Sequence, residues 1–207
     1  MGYSRAGFEV IGVDIEPQRH YPFEFHQADA LLLMDDLLDG YPMSGFASGL
    51  TLKDFAAIHA SPPCQAYSRL AAMHPGRDYP MLIDATRDRL RASGVTYVIE
   101  NVEGAPLDNP VLLCGSMFGL GVERGYLRRH RLFECSFPAL APVCQHRGVA
   151  VGVYGHGGHS GKHRMLYRAE ASLAMGIDHM SRDEMAQAIP PAYCEWIGAR
   201  LMLEVQR

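Results

Sequence analysis

Two short apolar runs each end in a chemically loaded turn, with a helical pattern between them. Phe55-Ala56-Ala57-Ile58-His59-Ala60 stops at Ser61-Pro62-Pro63-Cys64-Gln65-Ala66-Tyr67-Ser68, and Val95-Thr96-Tyr97-Val98-Ile99 stops at Glu100-Asn101-Val102. Both runs read as strands. Residues 80–92 read as a helix closed by Ser93-Gly94. Strands alternating with helices indicate an α/β sheet. If that sheet is parallel, both turns lie on its carboxyl edge, where open α/β sheets bind ligands. Two prolines of fixed φ stiffen the first turn and aim the Cys64 thiol.

The flanks fit the same class. Phe8 to Asp14 reads as a strand ending in an acid, residues 16–27 as a connection, and Leu31 to Leu38 after Asp29 as a short helix. Residues 40–49 read as loop. Strand and loop signals continue to Leu132-Phe133. Residues 136–163 carry proline, glycine and four of the ten histidines, with no helical period. Ser181-Arg182-Asp183-Glu184 is a capping-box pattern. Pro191 opens a last helix with Tyr193, Trp196, Ile197, Leu201 and Val205 roughly on one face. With 207 residues, 48% of them hydrophobic, one compact domain with a small subdomain is expected.

No run of eighteen apolar residues is present, so no membrane span is expected. Met1-Gly2-Tyr3-Ser4-Arg5 lacks the apolar stretch of a secretory leader. The five cysteines are scattered with no C-x-x-C, which fits reduced thiols in a cytoplasm rather than a disulfide framework. Net charge is −4, but it is unevenly spread. Residues 1–119 carry −7, residues 120–170 carry +5 and residues 171–207 carry −2. The basic segment is a candidate phosphate-contact surface; its bland reading is a solvated loop.

Cys64 and Glu100 form a chemically sensible pair. A thiolate can add to an electron-poor ring carbon while a carboxyl group hydrogen-bonds or protonates the ring nitrogen that gains electron density. Each alone has an ordinary structural reading, as a packed thiol or a loop cap.

The ordered set Ser61-Pro62-Pro63-Cys64-Gln65, Glu100-Asn101-Val102 and Arg129-His130-Arg131 resembles the DNA cytosine-5 methyltransferase family, in the proportions of its compact bacteriophage members. Leu127 stands where the family pattern has a glutamine, two residues before its Arg-x-Arg motif. The resemblance implies an S-adenosylmethionine-dependent, Rossmann-like methyltransferase sheet with a small target-recognition insertion. It implies a catalytic core over 1–134, a recognition region over 135–170, and C-terminal helices over 171–207 that return to the core. Cys64 would attack C6 of a cytosine flipped out of double-stranded DNA, and Glu100 would bind N3 and the exocyclic amine. Arg129 and Arg131 would steady the base and its phosphate. Asp14, Ile15, Asp29, Pro63, Gln187 and Ala188 would contact the cofactor. Ala186-Gln187-Ala188-Ile189-Pro190-Pro191 departs from the family's closing element at its Gly and Asn. Gln65, Ser68, Arg147, Lys162, Arg164 and Arg168 would meet DNA. The expected setting is a bacterial or phage-infected cytoplasm, in restriction-modification or phage DNA methylation.

Cys144, His146, His156, His159 and His163 fall within twenty residues. Their spacing, C-x-H then H-x2-H-x3-H, matches no common zinc motif. The expectation is therefore a glycine-flexed, phosphate-facing loop and no metal.

The family's first strand and its glycine-rich turn have no counterpart before Gly2-Tyr3. That strand would lie between the strands at 8–13 and 55–60, so both should show unpaired edges. Three expectations compete: a start further upstream, a degenerate relative that binds DNA without methylating, or a gap filled by another chain or strand. This form is expected to bind S-adenosylmethionine poorly. A methylase of free pyrimidine nucleotides is the remaining alternative.

Overall fold

The computed structural model describes residues 1–45, 49–68, 78–123, 125–154 and 164–206, with Arg164 and Met165 described as backbone only. In chain order the helices are α1 (Gly2–Arg5), α2 (Ala30–Leu38), α3 (Ile83–Ser93), α4 (Arg168–Met175), α5 (Arg182–Gln187) and α6 (Pro191–Val205). The strands are β1 (Ile11–Asp14), β2 (Glu24–Gln27), β3 (Ala57–Ala60), β4 (Thr96–Asn101), β5 (Val111–Leu113), β6 (Gly121–Val122), β7 (Gly125–Leu127), β8 (Arg131–Cys135), β9 (Val149–Gly152) and β10 (Arg164–Met165). The architecture is mixed α/β with sheets of mixed strand direction. No helix among the described residues is long and apolar enough to cross a membrane.

The chain divides into two compact units. One unit comprises Met1–Glu9, Val111–Arg131 and Ala139–Met202; the other comprises Val10–Pro110, Leu132–Pro138 and Leu203–Arg207. Of the expected recognition region over 135–170, residues 139–170 fall in the first unit and 135–138 in the second. Its strand β9 pairs in parallel with β7, Gly125 opposite Val149 and Leu127 opposite Val151.

In the Val10–Pro110 unit, β3 and β4 run parallel in the register Ala57 to Thr96, Ile58 to Tyr97, His59 to Val98 and Ala60 to Ile99. β8 adds antiparallel to the other side of β4. Ile83, Leu90, Tyr97, Ile99 and Leu107 form the core, with Met34, Ile58, Ala60, Tyr67 and Leu132 packed against it. α3 starts beside Pro80 and stops at Gly94, whose φ of 66° is the left-handed conformation that suits glycine at a helix end. β1 and β2 form a separate parallel pair, Ile11 opposite Glu24 and Asp14 opposite Gln27. β2 corrects the reading of residues 16–27 as mere connection. Among the described residues, β1 pairs only with β2 and β3 only with β4, so each carries one edge without a described partner.

In the other unit the sheet order is β10-β9-β7-β6. Leu127, Val151, Val153, Leu166, Ala171, Ala174, Met175, Ile177 and Met185 make its core. Ser181 caps α5 as its sequence pattern predicts, with Glu184 reaching back to the Ser181 amide. α6 begins at Pro191, a position where the missing N–H costs nothing. It buries Tyr193, Ile197, Gly198 and Leu201. α1 lies so close to α6 that a Cβ on Gly2 would meet Cys194 Cβ at 2.6 Å, and one on Gly198 would meet Ala6 Cβ at 2.7 Å.

Candidate functional site

The parallel register decides where the two loaded turns emerge. Ala60 faces Ile99, so the chain leaves β3 toward Cys64 on the edge where β4 reaches Glu100. Cys64 is half-buried and opens a 3₁₀ turn over Gln65–Tyr67. The Tyr67 amide donates to Cys64 O at 3.1 Å, and Ser68 Oγ donates to Gln65 O at 3.1 Å. Asn101 is 1% exposed; its Nδ2 donates to Pro62 O at 2.9 Å, while its Oδ1 accepts from Val102 N at 2.9 Å. The middle residue of Glu-Asn-Val therefore ties one turn to the other. Glu100 is buried, opposite Phe133 on β8. Gln65 and Pro63 are exposed and Ser68 is half-buried. Sequence reasoning paired Cys64 with Glu100 and missed the joint that Asn101 makes between them.

The same unit holds an ionic lattice that no motif announced. Arg87 and Glu134 are 6% and 3% exposed. The guanidinium donates Nε to both Glu134 oxygens at 3.0 and 3.1 Å, and Nη2 to Oε2 at 2.9 Å. It also donates to Asp84 Oδ1 at 2.6 Å and Pro106 O at 2.7 Å. Tyr97 Oη and the Asp108 amide donate to the same Glu134 carboxylate. Burial, reinforced by the Glu134 charge, pushes the neighbouring Cys135 thiol up to about 12. Of the two cysteines in this unit, Cys135 is thus a poor nucleophile, and Cys64 is the one at the open strand edge. Burial also lowers His59 on β3 to about 4; its Nε2 lies 3.0 Å from Ser61 Oγ.

The expected cofactor acids sit at the β1–β2 pair. Asp14 ends β1, and its carboxylate accepts from Glu16 N at 2.9 Å and Gln18 Nε2 at 3.1 Å. Ile15 beside it is 61% exposed. Asp29 is the N-cap of α2, with Oδ1 accepting from Leu31 N and Leu32 N at 2.9 and 3.3 Å. Its carboxylate therefore has a structural duty that the sequence reading did not assign.

In the other unit, the two arginines of Arg-x-Arg differ sharply. Arg129 is 7% exposed. Its guanidinium donates to Ala186 O at 2.6 Å, to Ala188 O at 2.7 and 3.1 Å, and to Val153 O at 3.2 Å. Tyr193 Oη donates to Arg129 O at 2.6 Å. Arg129, expected to steady a base or its phosphate, here clamps the backbone around Gln187 and Ala188. Arg131 is half-buried and donates Nη1 to His130 O at 2.9 Å. Arg147 and Arg168 are exposed. Lys162, His156, His159 and His163 lie outside the described residues, as does the side chain of Arg164.

Cys144 and His146 meet partners that the sequence reading did not consider. With Cys114 and His130 they place one Sγ or ring-nitrogen atom each within 4.8 Å of one another. Cys114 Sγ is 3.4 Å from His146 Nε2, His130 Nε2 is 3.2 Å from His146 Nε2, and Cys144 Sγ is 3.6 Å from His130 Nε2. Burial raises the Cys114 thiol, but hydrogen bonds from His130, Ser116 and His146 outweigh it and bring the group down to about 5. No spacing rule reveals this set, because the loop at 144–146 meets residues 16 and 32 positions upstream. No known protein family matches the chain, and no curated protein sequence matches it.

Proposed function

We propose that this chain is a DNA cytosine-5 methyltransferase that works through a covalent Cys64 adduct on a flipped cytosine. One observation carries the reading. The β3–β4 register sets Pro-Pro-Cys-Gln beside Glu-Asn-Val on one sheet edge, and Asn101 hydrogen-bonds across to Pro62 O. The basic 120–170 segment supports a polyanionic partner.

In this reading Cys64, as thiolate, adds through Sγ to C6 of the cytosine. The C5=C6 electron pair moves into the ring, and Glu100 supports the charge by sharing a proton with N3. Burial of Glu100 keeps water from competing for that hydrogen bond. Asp14, Ile15 and Asp29 fit the adenosine half of S-adenosylmethionine, offering carboxylate acceptors for hydroxyl and amino groups and an exposed aliphatic side chain for a flat ring. When bound, that cofactor supplies an electrophilic methyl group for C5. The C5 proton then passes to water, the C5=C6 bond re-forms, and the Cys64–C6 bond breaks to return the thiolate. Arg131 is the candidate cation of the Arg-x-Arg pair, and Arg129 is a positioning residue.

Duplex DNA carrying 5-fluorocytosine in mixed sequence contexts tests this, with S-adenosylmethionine supplied. Fluorine at C5 cannot leave as a proton, so a denaturation-stable protein–DNA adduct should accumulate. It should disappear in Cys64→Ser and persist in Cys194→Ser. Salt-sensitive binding with no adduct would make the chain a binding module and overturn the proposal. Turnover of a free pyrimidine nucleotide without DNA binding would overturn it in favour of a nucleotide methylase.

A further inference from the structure

We infer that Cys114, His130, Cys144 and His146 form a structural zinc site. The inference is independent of the methyl-transfer reading and concerns only the unit that holds these residues.

The donor geometry is the first argument. Zinc bonds thiolate sulfur at about 2.3 Å and imidazole nitrogen at about 2.0–2.1 Å, with tetrahedral angles. Those lengths place two nitrogens about 3.3 Å apart, and a sulfur and a nitrogen about 3.6 Å apart, around one ion. The spacings here are 3.2 Å for the nitrogen pair and 3.4 and 3.6 Å for the two sulfur–nitrogen pairs. Three donor pairs thus stand at the separations of a tetrahedral shell, and all four donor atoms lie within 4.8 Å of one another.

Hydrogen bonding alone accounts for the cluster less well. A ring nitrogen has one in-plane position, holding either a hydrogen or a lone pair. Yet His130 Nε2 approaches both His146 Nε2 and Cys144 Sγ, and His146 Nε2 approaches both His130 Nε2 and Cys114 Sγ. A shared cation satisfies all three contacts at once. Two cysteines and two histidines are a donor set that selects zinc over hard cations such as magnesium or calcium. Four protein ligands also leave no open position, so the role is structural.

The surroundings supply what such ligands require. Ser116 Oγ donates to Cys114 Sγ at 3.3 Å, and the His146 ring stacks on Tyr126 with centroids 5.2 Å apart. These contacts orient the ligands. The loop that brings in Cys144 has no regular secondary structure, and its Leu140 and Val143 are 89% and 83% exposed. Apolar burial does not fix that loop, so a cross-link to Cys114 and His130 would. His130 is the middle residue of Arg-x-Arg, so the ion would also anchor the backbone between Arg129 and Arg131.

The test uses the full chain, purified without a histidine tag or chelator. Elemental analysis should find about one zinc per chain, the stoichiometry of a closed four-ligand site. Replacement by cobalt should give thiolate charge-transfer and tetrahedral d–d bands. Cys144→Ser and His146→Ala, both in the loop, should lose metal and bands while far-UV circular dichroism stays folded, and Cys194→Ser should keep them. The cobalt spectrum of the unaltered protein stands even if a variant misfolds. Metal-free protein that gives no such bands on cobalt addition would overturn the site. So would full zinc retention in the Cys144→Ser/His146→Ala double variant.

Discussion

The chain sets sulfur among polar groups in two places, and it does so in opposite ways. Around Cys64 the backbone is what is held: prolines fix the turn, Asn101 grips Pro62 O, and the Tyr67 amide bonds Cys64 O. Around Cys114 the side chains themselves converge, with two sulfurs and two ring nitrogens gathered within 4.8 Å. A nucleophile needs an aimed but uncommitted sulfur, whereas a structural ligand needs its sulfur committed to neighbours. The contrast predicts that the Cys64 edge is vulnerable through its supports rather than through the cysteine.

The largest expected effect comes from Arg87→Met, in the same unit as Cys64. Glu134 would remain buried with its guanidinium partner gone, and removing one member of a buried pair costs about 3–5 kcal/mol. Chemical denaturation should show that loss. Arg87→Met with Glu134→Leu should recover most of it, because neither variant side chain leaves a charge in the core. Equal losses for single and double variants would show that the lattice matters for its shape and not for its charge balance.

A smaller effect comes from pH. His59 titrates at about 4 in the folded chain against an ordinary 6.5, because burial disfavours its cation. The unfolded chain therefore takes up the proton first. Stability from this residue is fully present above about pH 6.5 and is lost as pH falls toward 4, by at most about 3 kcal/mol. His59→Phe should flatten the acid side of the stability profile by that amount. An unchanged profile would mean the ring is hydrated enough to charge freely.

Much of the Cys64 edge was legible because its signals are local. An apolar run, a helical pattern stopped by Ser93-Gly94 and a β-branched strand placed β3, α3 and β4, and Ser181 with Glu184 announced α5. β2 was not legible: Glu24-Phe25-His26-Gln27 has no apolar run, and its strand exists through pairing with β1. Arg129 was expected to steady a base or its phosphate, and its motif says nothing of Ala186 O and Ala188 O, 57 and 59 residues away. The Cys/His cluster was hidden for the same reason. Cys114 and His130 have no ligand-like neighbours in sequence, and only folding brings the loop at 144–146 to them. Local chemistry shows in sequence; convergence of distant side chains does not.

The finest test of the contrast is Asn101→Ala. The side chain serves two backbone groups, donating to Pro62 O and accepting from Val102 N. Its loss leaves both without that partner in part-buried positions, a cost of about 1–3 kcal/mol. That alone would mark Asn101 as structural. If the bond also aims Cys64, the rate of adduct formation on 5-fluorocytosine DNA should fall further than the folded fraction does. Asn101→Asp separates the two effects: a carboxylate can still accept from Val102 N but cannot donate to Pro62 O. Stability partly restored with adduct formation still slow would assign the aiming of the nucleophile to the single Asn101–Pro62 bond. Both properties restored together would place that aim in the prolines alone.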